Sequence, residues 1–394
     1  MSDKRRDPRG SAGGATSKTA AAPRSAARRW TFRGGALLLA VMVAALLAEL
    51  AVMLLVRGGA LSTPPPARPE SAFWEANRPD VGVWHRPLAT LRHQTECFDV
   101  TYRTNSVGAR DAEREREAGG PRTVVLGDSM VEGWGVSREK RLSDLLEQAT
   151  GREHLNFGMS HFGPYQNYLV YRELAKSYEH DSVLASVFPL NDFADLDYEL
   201  AVESPPHEFH YRPYLVGEGP DYRRIDHFES RVRQLLRRHS YAYNAAAHAI
   251  YSWRRRGKPD LRPPSKDASG LVHSYFYDFT ERQFDLLRHS LELLVAEAEG
   301  KRVAVLLIPA HRDLVRYHQS GESPLQQRLG ELAAQRGFRL VNLLPAMHDY
   351  TPHWDEFHLS CDFHWNDFGH AVAARIVERE LVGVFYEPRA AAGP

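Results

Sequence analysis

Cysteine is nearly missing from this chain: Cys97 and Cys361 are the two present among 394 residues. Covalent bracing is therefore limited to one bridge, which an oxidising compartment would permit; two unpaired thiols fit the sequence equally well. An excess of charge of one sign is also missing, because 50 Lys and Arg balance 50 Asp and Glu. No internal repeat is present, and long apolar runs are absent with one exception near the N-terminus. The neutral total hides a division. Residues 1–33 hold nine Lys or Arg against Asp3 and Asp7, a net of +7, so residues 34–394 carry −7. A net-negative body argues against nucleic acid as its partner.

The exceptional apolar run is Gly34 to Val56, 23 residues in which Glu49 is the one polar side chain. As a helix it would extend roughly 34 Å at ~1.5 Å per residue, enough for a hydrocarbon core of ~30 Å. A secretory signal is the rival, but its apolar region is usually ~7–15 residues and its basic region is shorter than this tail. The expectation is a membrane anchor over 34–56. Nine cations precede it and only Arg57 and Arg68 follow closely, which places the N-terminus in the cytoplasm and the rest outside, in the periplasm if the cell is Gram-negative. Residues 1–33 read as a disordered basic tail, 57–70 as a stiff Pro-rich linker, 71–120 as a lead-in, and 121–387 as the main domain.

Hydrophobic residues make up 43% of the chain, enough to build a core. Within 121–387, short apolar runs at 122–126, 154–157, 182–188, 302–308 and 338–343 read as buried strands. Helical patterns fall near 139–150, 164–178, 276–299, 323–336 and 367–382, the last with Asn366 as a candidate N-cap. Strands alternating with helices imply a parallel sheet covered on both faces. Residues 190–272 interrupt this rhythm as a long insertion with an arginine-rich amphipathic stretch from Phe228 to Arg256. Those arginines suit anionic glycan or phospholipid head groups; a solvated helix face is the plainer alternative.

Four short motifs stand at the ends of these elements: Gly127-Asp128-Ser129, Asn156-Phe157-Gly158, Pro189-Leu190-Asn191-Asp192 and Asp362-Phe363-His364-Trp365-Asn366. In this order they resemble the GDSL/SGNH hydrolase family, whose four block residues are matched by Ser129, Gly158, Asn191 and His364. The resemblance covers roughly residues 98–385 and extends to the lead-in YRTNSVGARD. It implies a flavodoxin-like three-layer α/β/α fold with a parallel sheet, and ester chemistry. The chain departs from the pattern at three places. Met130 replaces the usual Leu, Pro189 stands where Gly is usual, and the acid–base spacing is D-x-H because Cys361 occupies the usual acid position. A D-x-H-W arrangement is similar to that of SGNH-like polysaccharide O-acetylation proteins. Asp355 and Glu356 are alternative acids.

The chemistry of each residue type supports the assignment. A serine hydroxyl attacks a carbonyl only when a base takes its proton, and histidine is suited to that near neutral pH. Ser129, His364 and Asp362 are thus the candidate nucleophile, base and orienting acid. The Ser129 N–H, the Gly158 N–H and the Asn191 amide are the candidate oxyanion donors, with a helix after Ser129 as a further source of positive charge. Asp128 and Asp192 are expected to organise their turns, and Asn105 and Arg110 to tie the lead-in to the core. Trp134 and Trp365 suit either a sugar pocket or the core. His353, His358, His364 and His370 are spaced by five and six and do not share a helix face, so no metal and no cofactor are expected. The expected substrate is an acylated carbohydrate or small ester. An O-acyltransferase, a glycan-binding or assembly protein on the same scaffold, and a lipid-cleaving enzyme are the rivals.

Overall fold

The computed structural model describes residues 26–66, 73–74, 76–205, 210–259, 264–266 and 269–386. It divides into two units, Met1–Ser62 and Thr63–Pro394. The first contains helix α1 (Ala26–Arg57). Its span Trp30–Arg57 is long and apolar enough to cross a membrane, a test a signal sequence also passes. The helix takes in residues 26–33, which the sequence reading assigns to the disordered tail. Adding turns to a helix already nucleated by the apolar run needs no new nucleus, which accounts for the difference. The rest of that tail, and 67–70 of the linker, lie outside the described residues.

The second unit opens with two antiparallel hairpins that no periodicity in the lead-in announces. Strand β1 (Ala76–Arg78) pairs with β2 (Gly82–Trp84), and β3 (Thr90–Gln94) with β4 (Asp99–Arg103). Then the alternation begins: β5 (Arg122–Leu126), α2 (Ser129–Glu132), α3 (Leu142–Thr150), β6 (Glu153–Asn156), α4 (Pro164–Glu173), β7 (Ser182–Val187), α5 (Pro189–Leu196) and α6 (Tyr198–Glu203). The insertion continues with the hairpin β8 (Pro213–Val216) and β9 (Arg223–Asp226), followed by α7 (Arg231–His239) and α8 (Tyr241–Arg255). The chain returns through α9 (Glu281–Glu297), β10 (Arg302–Leu307), α10 (His311–Ser320), α11 (Pro324–Arg336), β11 (Arg339–Asn342), α12 (Leu343–Tyr350) and α13 (Asp367–Leu381).

Five strands form one parallel sheet in the order β11-β10-β7-β5-β6. All five expected strands are present within one residue at each end. The three central strands β5, β7 and β10 are buried along nearly their whole length, as in Val124–Leu126 and Val303–Leu307, while the edge strand β11 buries Val341 and leaves its other residues half-buried. Right-handed crossovers send β5→β6 one way and β6→β7→β10→β11 the other, so the connecting helices fall on opposite faces. Accordingly α3, α12 and α13 pack together, as do α4, α9 and α11. The result is the expected three-layer α/β/α architecture. Connections diverge beside β5 and β7, and a crevice opens at such a switch point outside the carboxyl ends of the strands.

Candidate active site

The turn after β5 carries Ser129 into that crevice. Gly127 is required there because a Cβ would collide with the Ser186 hydroxyl and Val131. Asp128 caps α2, its Oδ1 accepting the Met130 N–H at 3.0 Å. Helix α2 is a single turn of four residues, so the positive end expected beside the hydroxyl is weak. Ser129 is its first residue, and its N–H therefore has no intrahelical acceptor.

A loop before α13 brings the imidazole. His364 Nε2 lies 2.7 Å from Ser129 Oγ, and His364 Nδ1 lies 2.8 Å from Asp362 Oδ1. These are hydrogen-bond distances of a serine–histidine–carboxylate relay. Of the three candidate acids, Asp362 is the one that reaches the ring; Asp355 and Glu356 lie in the short turn Trp354–Phe357. The loop is held from several sides. The Leu359 N–H donates to the His364 carbonyl at 2.8 Å, and the Asn366 amide donates to the Glu356 and His358 carbonyls, both at 2.8 Å. Asn366 also caps α13 as expected, accepting from the Gly369 N–H at 3.0 Å. Trp365 is fully buried in the core.

Two aromatic rings and a disulfide complete this positioning. The Trp134 indole N–H donates to Asp362 Oδ2 at 3.0 Å, and its ring stacks on His364 at 5.4 Å. Phe363 stacks on the imidazole at 4.3 Å. Cys361, one residue before Asp362, is bonded to Cys97 in the turn between β3 and β4. The partly buried Asp362 carboxyl would be raised by burial, but the His364 hydrogen bond and charge outweigh this and hold it below its ordinary value.

The lead-in supports Trp134 from behind. His93 of β3 and Trp74 pack on its ring at 4.6 and 5.7 Å. Arg110 donates to the carbonyls of Glu132, Gly133 and Val136, at 2.7, 2.5 and 2.6 Å, fixing the backbone on both sides of Trp134. Asn105 instead shapes its own turn, accepting from the Val107 and Ala109 N–H groups. Glu132, for which the sequence offered no role, is the hub. Fully buried, it accepts from Trp74 Nε1 at 3.0 Å and from the Ser160 N–H at 2.7 Å, and it contacts His85 Nε2 at 3.0 Å and the Ser160 hydroxyl. Burial would raise this carboxyl, yet His85, Ser160 and Arg110 together pull it down to about 2.

The candidate oxyanion donors are placed less simply. The Gly158 N–H, expected to face the site, donates to Asn156 Oδ1 at 2.9 Å instead. A two-residue side-chain turn competes for that N–H. Glycine is needed there for a different reason: a Cβ would run into the Glu132 N–H and the Val131 backbone. Asn191 lies in the first turn of α5, and its amide donates to Asp195 Oδ2 at 3.0 Å. Asp192 accepts the Phe188 N–H at 2.7 Å and so fixes the start of that helix. Burial drives Asp128 up to about 6, and drives Asp192 well above its ordinary value with repulsion from Asp128 added. Asp195 is paired with buried Arg212 at 2.6 Å.

His161 was missed. It is exposed, adopts φ +63°, and the charges of Asp195, Arg212 and His364 act on it. A non-glycine residue in the left-handed region is the kind of backbone outlier that gathers at functional sites. The other histidines of the C-terminal group serve separate ends: His370 Nδ1 accepts the Leu142 N–H at 3.2 Å, and His358 Nδ1 meets the Trp354 carbonyl at 3.1 Å.

No known family profile and no curated protein matches this chain. Solved structures do. One is a lipolytic protein of the G-D-S-L family from Desulfitobacterium hafniense, with 12% identity, TM-score 0.36, and coverage of 66% of this chain and 99% of that one. A second is the lipase/acylhydrolase from Enterococcus faecalis, with 15% identity, TM-score 0.36, and coverage of 66% and 95%. A third is a mutant acetyl-xylooligosaccharide esterase from Geobacillus Stearmophilus, with 14% identity, TM-score 0.37, and coverage of 68% and 97%. The functional reading rests on the site geometry.

Proposed function

We propose that this protein is a serine esterase of the GDSL/SGNH type that cleaves acyl esters, O-acetyl groups on carbohydrate foremost. The observation that carries the proposal is the unbroken hydrogen-bonded line from Ser129 Oγ through His364 to Asp362. Ser129 Oγ forms a bond to the ester carbonyl carbon while His364 Nε2 takes its proton. As the tetrahedral intermediate collapses, the carbon–alkoxide bond breaks and the leaving oxygen receives that proton. Water, deprotonated by the same nitrogen, then bonds to the acyl carbon; the bond to Ser129 Oγ breaks, Oγ takes the proton back from His364 and the acid leaves. Asp362 stabilises the imidazolium formed in each half-reaction. With the single Gly158 N–H held by Asn156 and one of the two Asn191 amide N–H groups held by Asp195, the proposed oxyanion donors are the Ser129 N–H and the second N–H of Asn191. Each such donor lowers the barrier by ~2.7–4 kcal/mol.

Residues 34–56 are proposed as the anchor, with the basic tail on the cytoplasmic side and the α/β unit outside, which the asymmetry of flanking cations supports. A sugar hydroxyl in place of water would make the same site an acyltransferase.

The test uses the detergent-solubilised full chain with a fluorophosphonate probe and a small acetyl ester. Wild type should be labelled and turn over, and Ser129→Ala should lose labelling and at least about a thousandfold in kcat. Equal turnover by the two proteins with no labelling would favour a non-catalytic glycan-binding role. Comparing hydrolysis with transfer to an oligosaccharide separates esterase from transferase.

A further inference from the structure

The insertion carries a surface that the ester chemistry does not use. Between Phe228 and Lys258, eight Arg or Lys stand against one acid, Glu229, a net of +7 in 31 residues. The body as a whole is net negative, so this cation density is local. Glu229 is already engaged by Arg237 at 3.1 Å and approached by Arg233 at 3.7 Å. Among the described residues, no acid pairs with Arg231, Arg254 or Arg256.

Each helix also leaves an apolar stripe uncovered. On α7, Val232, Leu235 and Leu236 follow i, i+3, i+4 spacing, and Leu235 is 60% exposed. On α8, exposed Ala246, Ala249, Ile250 and Trp253 continue to i+7, and Trp253 is 70% exposed. A solvated helix face would carry polar residues at these positions. Between these helices and α6 lies a cavity of about 570 Å³, with Val202, Ala246 and Ile250 among its apolar residues and Arg233 and Arg254 among its cations; its Glu203 pairs with Arg255 and Lys258 at 2.8 and 2.9 Å.

We propose that α7 and α8 form a docking surface for an anionic phospholipid bilayer. The leucines and Trp253 enter the boundary between headgroups and acyl chains, and the arginines meet lipid phosphates. Exposed apolar residues edged by arginine are the composition of helices that lie in a membrane interface. Charge complementarity selects anionic over zwitterionic lipid. The ester chemistry is independent of the proposal.

The full chain, reconstituted in nanodiscs of phosphatidylcholine with or without roughly 30% phosphatidylglycerol, tests it by amide hydrogen exchange. Peptides from α7 and α8 should exchange roughly tenfold more slowly in the anionic discs, with the β5–β7 core unchanged. Leu235→Glu combined with Trp253→Glu should abolish that difference while core exchange stays as in wild type. Equal exchange in both lipids would overturn the proposal. Slowing that instead grows with the number of protein copies per disc would overturn it in favour of a second copy of this chain. Slowing produced by a soluble anionic polysaccharide, but not by phosphatidylglycerol, would assign the surface to glycan.

Discussion

Trp134 and Asp362 are joined by a 3.0 Å hydrogen bond from the indole N–H to Oδ2, across 228 positions of sequence. The other carboxylate oxygen faces His364 at 2.8 Å. One donor thus fixes the rotation of the acid that fixes the rotation of the base. Trp134→Phe keeps a ring on the imidazole but deletes the donor. Hydrogen bonds to charged groups contribute ~1.5–3 kcal/mol, so kcat on a small acetyl ester should fall roughly tenfold with KM little changed. Steady-state kinetics on the purified variant checks this; a change confined to KM would contradict it.

The Cys97–Cys361 bridge ties the β3–β4 turn to the residue preceding Asp362. Its loss should act twice. Thermal unfolding of Cys97→Ser with Cys361→Ser, or of reduced wild type, should show about 2–5 kcal/mol less stability. Below the melting transition kcat should also fall, because the acid's loop loses its tether. Unchanged kcat in a destabilised variant would leave the bridge with stability alone.

Two buried carboxyls near the site push the pH dependence of stability in opposite directions. Glu132 titrates at about 2 in the folded chain, below its unfolded value of ~4.3. Its contribution, of order 3 kcal/mol, is present above that unfolded value and lost as pH falls through the folded one. Glu132→Gln should therefore be destabilised at neutral pH, with the gap to wild type closing toward pH ~2. Asp128 is raised to about 6, so the folded state holds its proton more tightly and this group costs stability as pH rises from ~4 to ~6. Asp128→Asn, which retains a good N-cap, should gain on wild type above that window and match it below. Denaturant titrations across pH check both signs.

His161 adopts φ +63° at the exposed edge of the site. His161→Gly should stabilise the fold by roughly 1 kcal/mol or leave it unchanged, because glycine reaches that conformation without strain. If the imidazole meets substrate, KM for an acetylated oligosaccharide should rise while KM for a small acetyl ester does not. Melting curves and paired kinetics separate the two effects.

Much of the scaffold was readable in advance because its cause is local. Val124–Leu126 and Val303–Leu307 are continuous apolar runs, and their shortness, their valines and the Gly127 that ends the first favour a strand buried on both faces over a helix. Asn366 lies immediately before a helical pattern, where its side chain meets an N–H three residues on. The lead-in hairpins escaped notice because strands of three to five residues with mixed burial leave little periodicity. Helix α10 was missed because Leu314, Val315 and Tyr317 are its few apolar side chains, and α12 because it is only eight residues long with Pro345 inside it. The Gly158 N–H was expected among the oxyanion donors, but it turns to Asn156.

The chain's own order of residues determined which groups stand at the carboxyl ends of the strands, since strand length, turn glycines and capping side chains act over a few positions. Ser129 and Asn191 are therefore legible as neighbours of one sheet edge, and the Asp362–His364 pair as lying just before a capped helix. Tertiary structure alone decided that Trp134 holds Asp362, that Cys97 meets Cys361, and that Glu132 gathers Trp74, His85 and Ser160. These contacts join segments tens to hundreds of residues apart. Hydrogen bonds and bridges depend on distance in space, which no local pattern encodes.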